Sequence, residues 1–246
     1  MGEALNALTR ALGDLRQPRV LALGLLPPIA AFAAWALLAW ALADDWARLV
    51  ADWIATTSWL TWLRDLGLSF LLIWGSGIAA FALLLPVMLI TALIVTEIVA
   101  MPLIVPLVGR RHFPQLALRK GGTVAGSIGN AVKAIAVFVA LWLVSLPLWF
   151  TGIGALLLPP LISAGFNQRM FRYDALAEHA SAEEYRAVIA AAGGRLFLLG
   201  LMLALMYAIP LVNLAVPVLS GLAFTHLCLA ELARLRQVAG RDSRVK

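Results

Sequence analysis

Between Lys133 and Arg169, and again between Arg195 and Glu231, the chain runs for 35 residues without a Lys, Arg, Asp or Glu. A spanning helix needs about 20 apolar residues, so each stretch is too long for one comfortable crossing and too short for two crossings plus a turn. Each is also interrupted near its middle. The first carries Thr151-Gly152-Ile153-Gly154 followed by Pro159-Pro160; the second carries Ile209-Pro210-Leu211-Val212-Asn213 followed by Pro217. Glycine and proline at such points mark turns. The pattern predicts two helical hairpins, over 134–168 and 196–230, that enter a membrane and return to the same side; bent spanning helices are the alternative. Backbone groups in a turn at membrane depth must be satisfied by protein or by water in a cavity, and helix ends aimed at one point make ion sites.

Three further stretches, 20–43, 66–96 and 98–109, are equally free of charge. Hydrophobic residues make up 63% of the chain and charged residues 13%, against roughly 25% charged in a soluble domain. The fold class that follows is an all-α integral membrane protein, one membrane domain over 1–246. It has two long transmembrane helices, about 20–42 and 66–96, two partly inserted hairpins, and amphipathic surface helices. Pro27-Pro28 predicts a kink in the first span. Ala41-Leu42-Ala43 resembles a signal-peptide cleavage site, but the apolar run before it exceeds the usual 7–15-residue core, so a retained span is expected. The second span, 31 residues or about 45 Å, must tilt, kink at Pro86 or protrude. Glu97 follows it directly; a carboxylate there is either functional or an interfacial group paired to an arginine.

Basic residues set the topology. Only Arg48 and Arg64 of the nineteen Lys and Arg fall in 44–65. Placing that segment outside and both termini in the cytoplasm satisfies the positive-inside rule, which also accounts for the net charge of +6 without nucleic acid. Seven of nine tryptophans lie in 35–74, an aromatic belt at one interface. Residues 1–19 carry Leu5, Leu8, Leu12 and Leu15 at helical spacing, an amphipathic surface helix ended by Gln17-Pro18. Asp45 can cap a helix with Trp46, Leu49, Val50, Trp53 and Ile54 on one face.

Signals for chemistry are sparse. Cys228 is the one cysteine and allows no intramolecular disulfide. His112, His179 and His226 are scattered, without a partner at metal-ligand spacing, so no metal and no cofactor are assigned. Gly122, Gly126 and Gly129 in the basic segment 110–133 lack Walker spacing and a preceding strand; the segment reads as a surface connection into a helix. Within the polar segment 169–195, Ser181-Ala182-Glu183-Glu184 is a capping box. Tyr185, Val188, Ile189 and Ala192 form an apolar face, and Gly193-Gly194 is expected to end the helix. Arg169, Arg172, Asp174, Glu178 and His179 form a polar cluster suited to salt bridges at the membrane surface. No nucleophile or oxyanion signature suggests an enzyme.

Two long spans, a basic segment and two interrupted hairpins around a polar helix resemble the CysZ-like sulfate permeases, whose wider family includes the etoposide-induced membrane proteins. The resemblance runs from Gln17-Pro18 to about Glu231. It is carried by Ala100-Met101-Pro102, Gly152-Ile153-Gly154 and Pro210-Leu211-Val212-Asn213-Leu214. Where those permeases show Gly-x-Arg-Arg soon after a Gln-Pro pair, this chain reads Arg19-Val20-Leu21-Ala22. The resemblance implies a homo-oligomer in a bacterial inner membrane that moves sulfate or a similar inorganic anion. The corresponding anion-binding candidates are Arg19, Gly152, Gly154 and Asn213. A guanidinium suits a tetrahedral oxyanion, although an arginine at the foot of a span also serves as a snorkelling topology anchor. The Asn213 amide could bind an anion or close its own turn. A membrane scaffold of the same fold that transports nothing is the alternative, suggested by the scarcity of polar groups in the apolar stretches.

Overall fold

The structure, a computed structural model, describes residues 2–42, 101–207 and 212–245, together with 45, 48, 49, 52, 53, 56, 66, 91 and 209; it leaves out the side chains of 19, 23–25, 27, 28, 213, 214 and 242–245. The described elements are all helical. The chain divides into two compact units, Met1–Gly24 with Glu97–Lys246, and Leu25–Thr96.

In the second unit, residues 48, 49, 52, 53 and 56 are helical, as expected, and so is Asp45, whose carboxylate accepts from Arg48 at 3.2 Å. The expected span over 66–96 (apart from 66 and 91), Pro86 and Glu97 lie outside the described residues.

In the first unit, α1 (Gly2–Leu15) ends where the Gln17 N–H donates to the Asp14 carbonyl. Pro18 then opens α2 (Pro18–Ala41), which belongs to the second unit from Leu25 on, at a position where a missing N–H costs nothing. Helix α2 has 24 residues, about 36 Å, and stays helical through Pro27-Pro28. The face that α1 buries against the rest of this unit is built mainly of alanine. Ala4, Ala7, Leu8, Ala11 and Asp14 are buried, while Leu5 and Leu12 are 52% and 40% exposed. Small side chains allow close approach to the neighbouring helices, with Leu8 buried among them.

Residues 101–112 form α3, and 113–123 connect it to α4 (Val124–Trp149). The connection is clamped to the turn after α5 (Ile153–Ala177): Lys120, Gly121 and Gly122 donate their N–H groups to the carbonyls of Glu178, Ala180 and Ala177 at 2.9–3.0 Å. Backbone approaches so closely that a Cβ on Gly121 would collide with the Ala180 carbonyl, and one on Gly122 would lie 2.5 Å from the Ala177 Cβ.

The first expected hairpin is present as α4 and α5. Its arms are 26 and 25 residues long, extending beyond the charge-free 134–168 at both ends. Helix α4 starts early because the Thr123 hydroxyl caps the Gly126 N–H at 3.0 Å. Asn130 donates to the Arg169 carbonyl at 2.8 Å, and Phe138 meets Phe166 with ring centroids 4.9 Å apart. These pairs fix an antiparallel register. Pro159 and Pro160 sit inside α5 without ending it.

The second hairpin consists of α6 (Ala182–Met206) and α7 (Val216–Val245), with a 3-10 turn over Val212–Ala215 between them. The capping box is formed as expected: Ser181 accepts from the Glu184 N–H, and Glu184 accepts from the Ser181 N–H. Gly193-Gly194 does not end this helix. It continues to Met206 because Leu196, Leu199 and Leu203 beyond the glycines are fully buried, and tertiary packing overrides a weak local preference. The segment 169–195 is therefore no separate element; it is shared by the end of α5, a short turn and the start of α6.

Helix α7 is the axis of this unit. Its most apolar window is 89% buried, against 11% for α4. Phe224, Leu219, Leu222, Leu227 and Leu229 are each at most 1% exposed, and Phe224 stacks on Phe171 of α5 at 5.6 Å. Among the described residues, Val124–Trp149, Ala182–Met206 and Val216–Arg241 are long and apolar enough to cross a membrane.

Candidate functional site

Two candidates selected from the sequence shape the first hairpin turn. Gly152 has φ +72°, a left-handed conformation that side-chain-bearing residues resist. The Gly154 N–H is bonded to the Thr151 hydroxyl at 3.0 Å, and a Cβ there would strike the Leu148 carbonyl. Asn213 lies in the 3-10 turn and Arg19 is the second residue of α2; both side chains are outside the description. Successive antiparallel helices α4 to α7 bring the turns holding Gly152 and Asn213 to the same end of the bundle. Arg19 is not on either turn. Glu97 lies outside the described residues.

The described polar groups gather elsewhere, in three clusters. In the first, Glu184 accepts from Arg236 at 2.9 and 3.0 Å and pairs with Arg119 at 2.9 Å. Arg236 also donates to the carbonyls of Ala117 and His179. In the second, Arg195 bridges Glu3 and Glu231, and Arg234 also pairs with Glu3. Burial pushes the Glu3 carboxyl up, but hydrogen bonds led by Arg234 outweigh it and hold the carboxyl below the ordinary range.

The third cluster corrects the reading of scattered histidines. Asp14 projects from α1, only 4% exposed. Its Oδ2 lies 2.8 Å from Nε2 of His226 on α7 and 3.0 Å from Nε2 of His112 on α3. Gln17 donates to its Oδ1 at 2.7 Å, and Arg111 stands 3.3 Å from the same oxygen. The imidazoles meet edge to face with centroids 4.7 Å apart. Burial raises the Asp14 carboxyl, yet hydrogen bonds and charge from the two histidines hold it below its ordinary value. One signal in the sequence points to Asp14: it extends the Ala4, Ala7, Ala11 spacing, so it shares the buried face and needs a partner there. Nothing local names that partner, because the histidines are 98 and 212 residues away.

The expected cluster of Arg169, Arg172, Asp174, Glu178 and His179 does not form as one group. Asp174 accepts from Ser127 and Arg172 reaches Tyr185. The His179 ring is buried beside Gly109, where burial pushes its pKa down against the opposing charge of Glu178. A cleft of about 640 Å³ opens between α3, the 120–124 segment, α4 and α5. Its walls include Met101, Val105, Ile128 and Phe171, and its charged members are Lys120, Asp174 and Glu178.

Residues 7–217 match the family model described as sulfate transporter CysZ/etoposide-induced protein 2.4. No curated protein matches, and no solved structure matches. The matched segment contains Arg19, Gly152, Gly154 and Asn213 and stops short of His226.

Proposed function

Because that match covers most of its length, the chain belongs to the sulfate transporter CysZ/etoposide-induced protein 2.4 family, and from this premise we propose that it is an oxyanion permease or channel of a bacterial inner membrane. It is a membrane protein of a transporter-type family; no enzymatic role is proposed. The observation that carries the reading is the family match across both hairpin turns. The shared end of the bundle occupied by those turns supports it: were both turns inserted in the membrane, they would line a pathway together. Sulfate is the substrate to test first. The sequence Arg19-Val20-Leu21-Ala22 offers one guanidinium where the family pattern has paired arginines, so the proposal extends to other inorganic oxyanions. Arg19 and Asn213 are proposed as anion contacts, Gly152 and Gly154 as residues that shape the turn, and Glu97 as an intramembrane polar group. The termini are proposed to be cytoplasmic and the working form a homo-oligomer in the lipid bilayer.

The test is labelled-sulfate flux into liposomes carrying the purified protein, with phosphate and chloride compared. Saturable sulfate uptake above protein-free liposomes is expected, lowered in Arg19→Ala and Asn213→Leu while the folded protein is retained. A second reading, a membrane scaffold without transport, is favoured by one observation. Arg111, Arg119, Arg195, Arg234 and Arg236 all pair with carboxylates of the same chain. Absence of flux for every anion, from folded and inserted protein, selects that reading.

A further inference from the structure

The geometry points to a divalent transition-metal site formed by Asp14, His112 and His226, which pins α1 and α3 to the central helix α7. One carboxylate oxygen and two imidazole nitrogens, donors that zinc and its neighbours prefer, all lie within 4.8 Å of one another. They come from three separate helices, so their convergence is a product of the tertiary fold. The two imidazoles present the same atom, Nε2, to the same oxygen, Asp14 Oδ2, at 2.8 and 3.0 Å. Ligands about 2.0–2.2 Å from a tetrahedral zinc stand about 3.3 Å apart. Each oxygen–nitrogen pair therefore has to open by a few tenths of an ångström, and the two nitrogens, within 4.8 Å of each other, have to turn toward the same ion.

The surroundings fit a ligating carboxylate. The other oxygen, Oδ1, is held by Gln17 at 2.7 Å and approached by Arg111 at 3.3 Å, the outer hydrogen bonds that orient a metal-bound carboxylate. The Arg111 side chain is 54% exposed, so its charge is screened and it can withdraw when a cation enters. Beside the cluster, a cavity of about 170 Å³ between α1 and α7 has His226 in its wall with Glu3, Asn6, Arg10, Glu231 and Arg234, so one of the three ligands borders a polar space. His226 lies beyond the matched 7–217, so this site is a feature of the whole chain and is independent of the transport reading.

The competing account is a metal-free lock in which both imidazoles donate Nε2–H to Asp14. The two are separable. Full-length protein carrying no histidine tag is purified in detergent, stripped with a chelator and titrated with Zn²⁺, with bound metal measured by mass spectrometry and the thermal midpoint followed in parallel. The expected result is about one zinc per chain and a midpoint that rises with zinc. His112→Ala, at a partly exposed position where the fold should survive, is expected to weaken zinc binding about tenfold or more and abolish the rise. His179→Gln, which removes a histidine outside the three-residue set, should leave both unchanged. Stripped wild-type protein that binds no zinc and shows no midpoint shift overturns the proposal, as does binding that His112→Ala leaves intact.

Discussion

The two 35-residue charge-free stretches look alike in the sequence, yet the chain uses them in opposite ways. In the α4–α5 hairpin the apolar side chains of α4 and the tip face outward, with Phe150 94% exposed, Val144 77% and Leu156 74%, while α5 gives Ala164, Phe171 and Leu176 to the core. In the α6–α7 hairpin they face inward, and α7 is enclosed by α1, α3, α5 and α6. Hydrophobicity and helix length decide only that a segment avoids water. What distinguishes the pair is side-chain size and polarity at the contact positions. Helix α7 carries Ser220, Thr225 and His226 among its leucines, all at most 2% exposed, and is met by the small residues of α1. Across 134–149 helix α4 carries a single hydroxyl, Ser145, and no amide or charge. A helix apolar on every side suits lipid.

The sharpest test of this contrast truncates one phenylalanine in each hairpin. Phe224→Ala should cost about 3–5 kcal/mol, since it removes the ring stacked on Phe171 and leaves a cavity. Phe150→Ala should stay within about 0.5 kcal/mol. Unfolding in detergent measures both, and equal costs would break the comparison. Next in size is Arg236→Ala, which removes the charged hydrogen bonds to Glu184, Ala117 and His179; a loss of about 2–3 kcal/mol is expected. Arg236→Lys should recover less than half of it, because an ammonium cannot reproduce the forked contact. A backbone pair sharpens the account of the first hairpin. Gly152→Ala should cost about 1–2 kcal/mol for its left-handed conformation, whereas Gly129→Ala, with nothing within 4 Å of its added Cβ, should gain up to about 1 kcal/mol. The smallest effect is in pH. Burial depresses the His179 pKa in the fold, so the unfolded chain takes up the proton first. The contribution is intact above about pH 6.5, the ordinary imidazole value, and is lost as pH falls below it. Thermal midpoints taken between pH 7.5 and 5 should fall with acid, and His179→Gln should flatten part of that slope.

These two regions also show where sequence reading succeeds. The turn at Gly152 and the capping box at Ser181 are legible because their causes are local: a left-handed glycine, and a hydroxyl three residues from a carboxylate. The end of α6 is misread because Leu196, Leu199 and Leu203 find partners on another helix, which no local signal reports. The alanine face of α1 goes unread for a similar reason: its partners lie on other helices. Family membership is legible in the order of elements. The meeting of Asp14 with His112 and His226 is not, since three side chains on three helices become neighbours only after the bundle has assembled. Arg19 and Asn213 fall at element ends, and their side chains lie outside the described residues.

The clamp formed by residues 120–122 has a mechanical consequence. Its three hydrogen bonds join the residues just before α4 to those just after α5, so they close the base of the hairpin on itself. Along its length the hairpin is seated through α5: Gly200 of α6 lies against the Ala164 carbonyl, and Phe171 stacks on Phe224 of α7. With arms of 26 and 25 residues, about 38 Å from root to tip, a sideways push on the outer arm, such as a change in bilayer thickness, is borne along that whole seam. Deflection of the outer hairpin is thus passed to the inner one through α5.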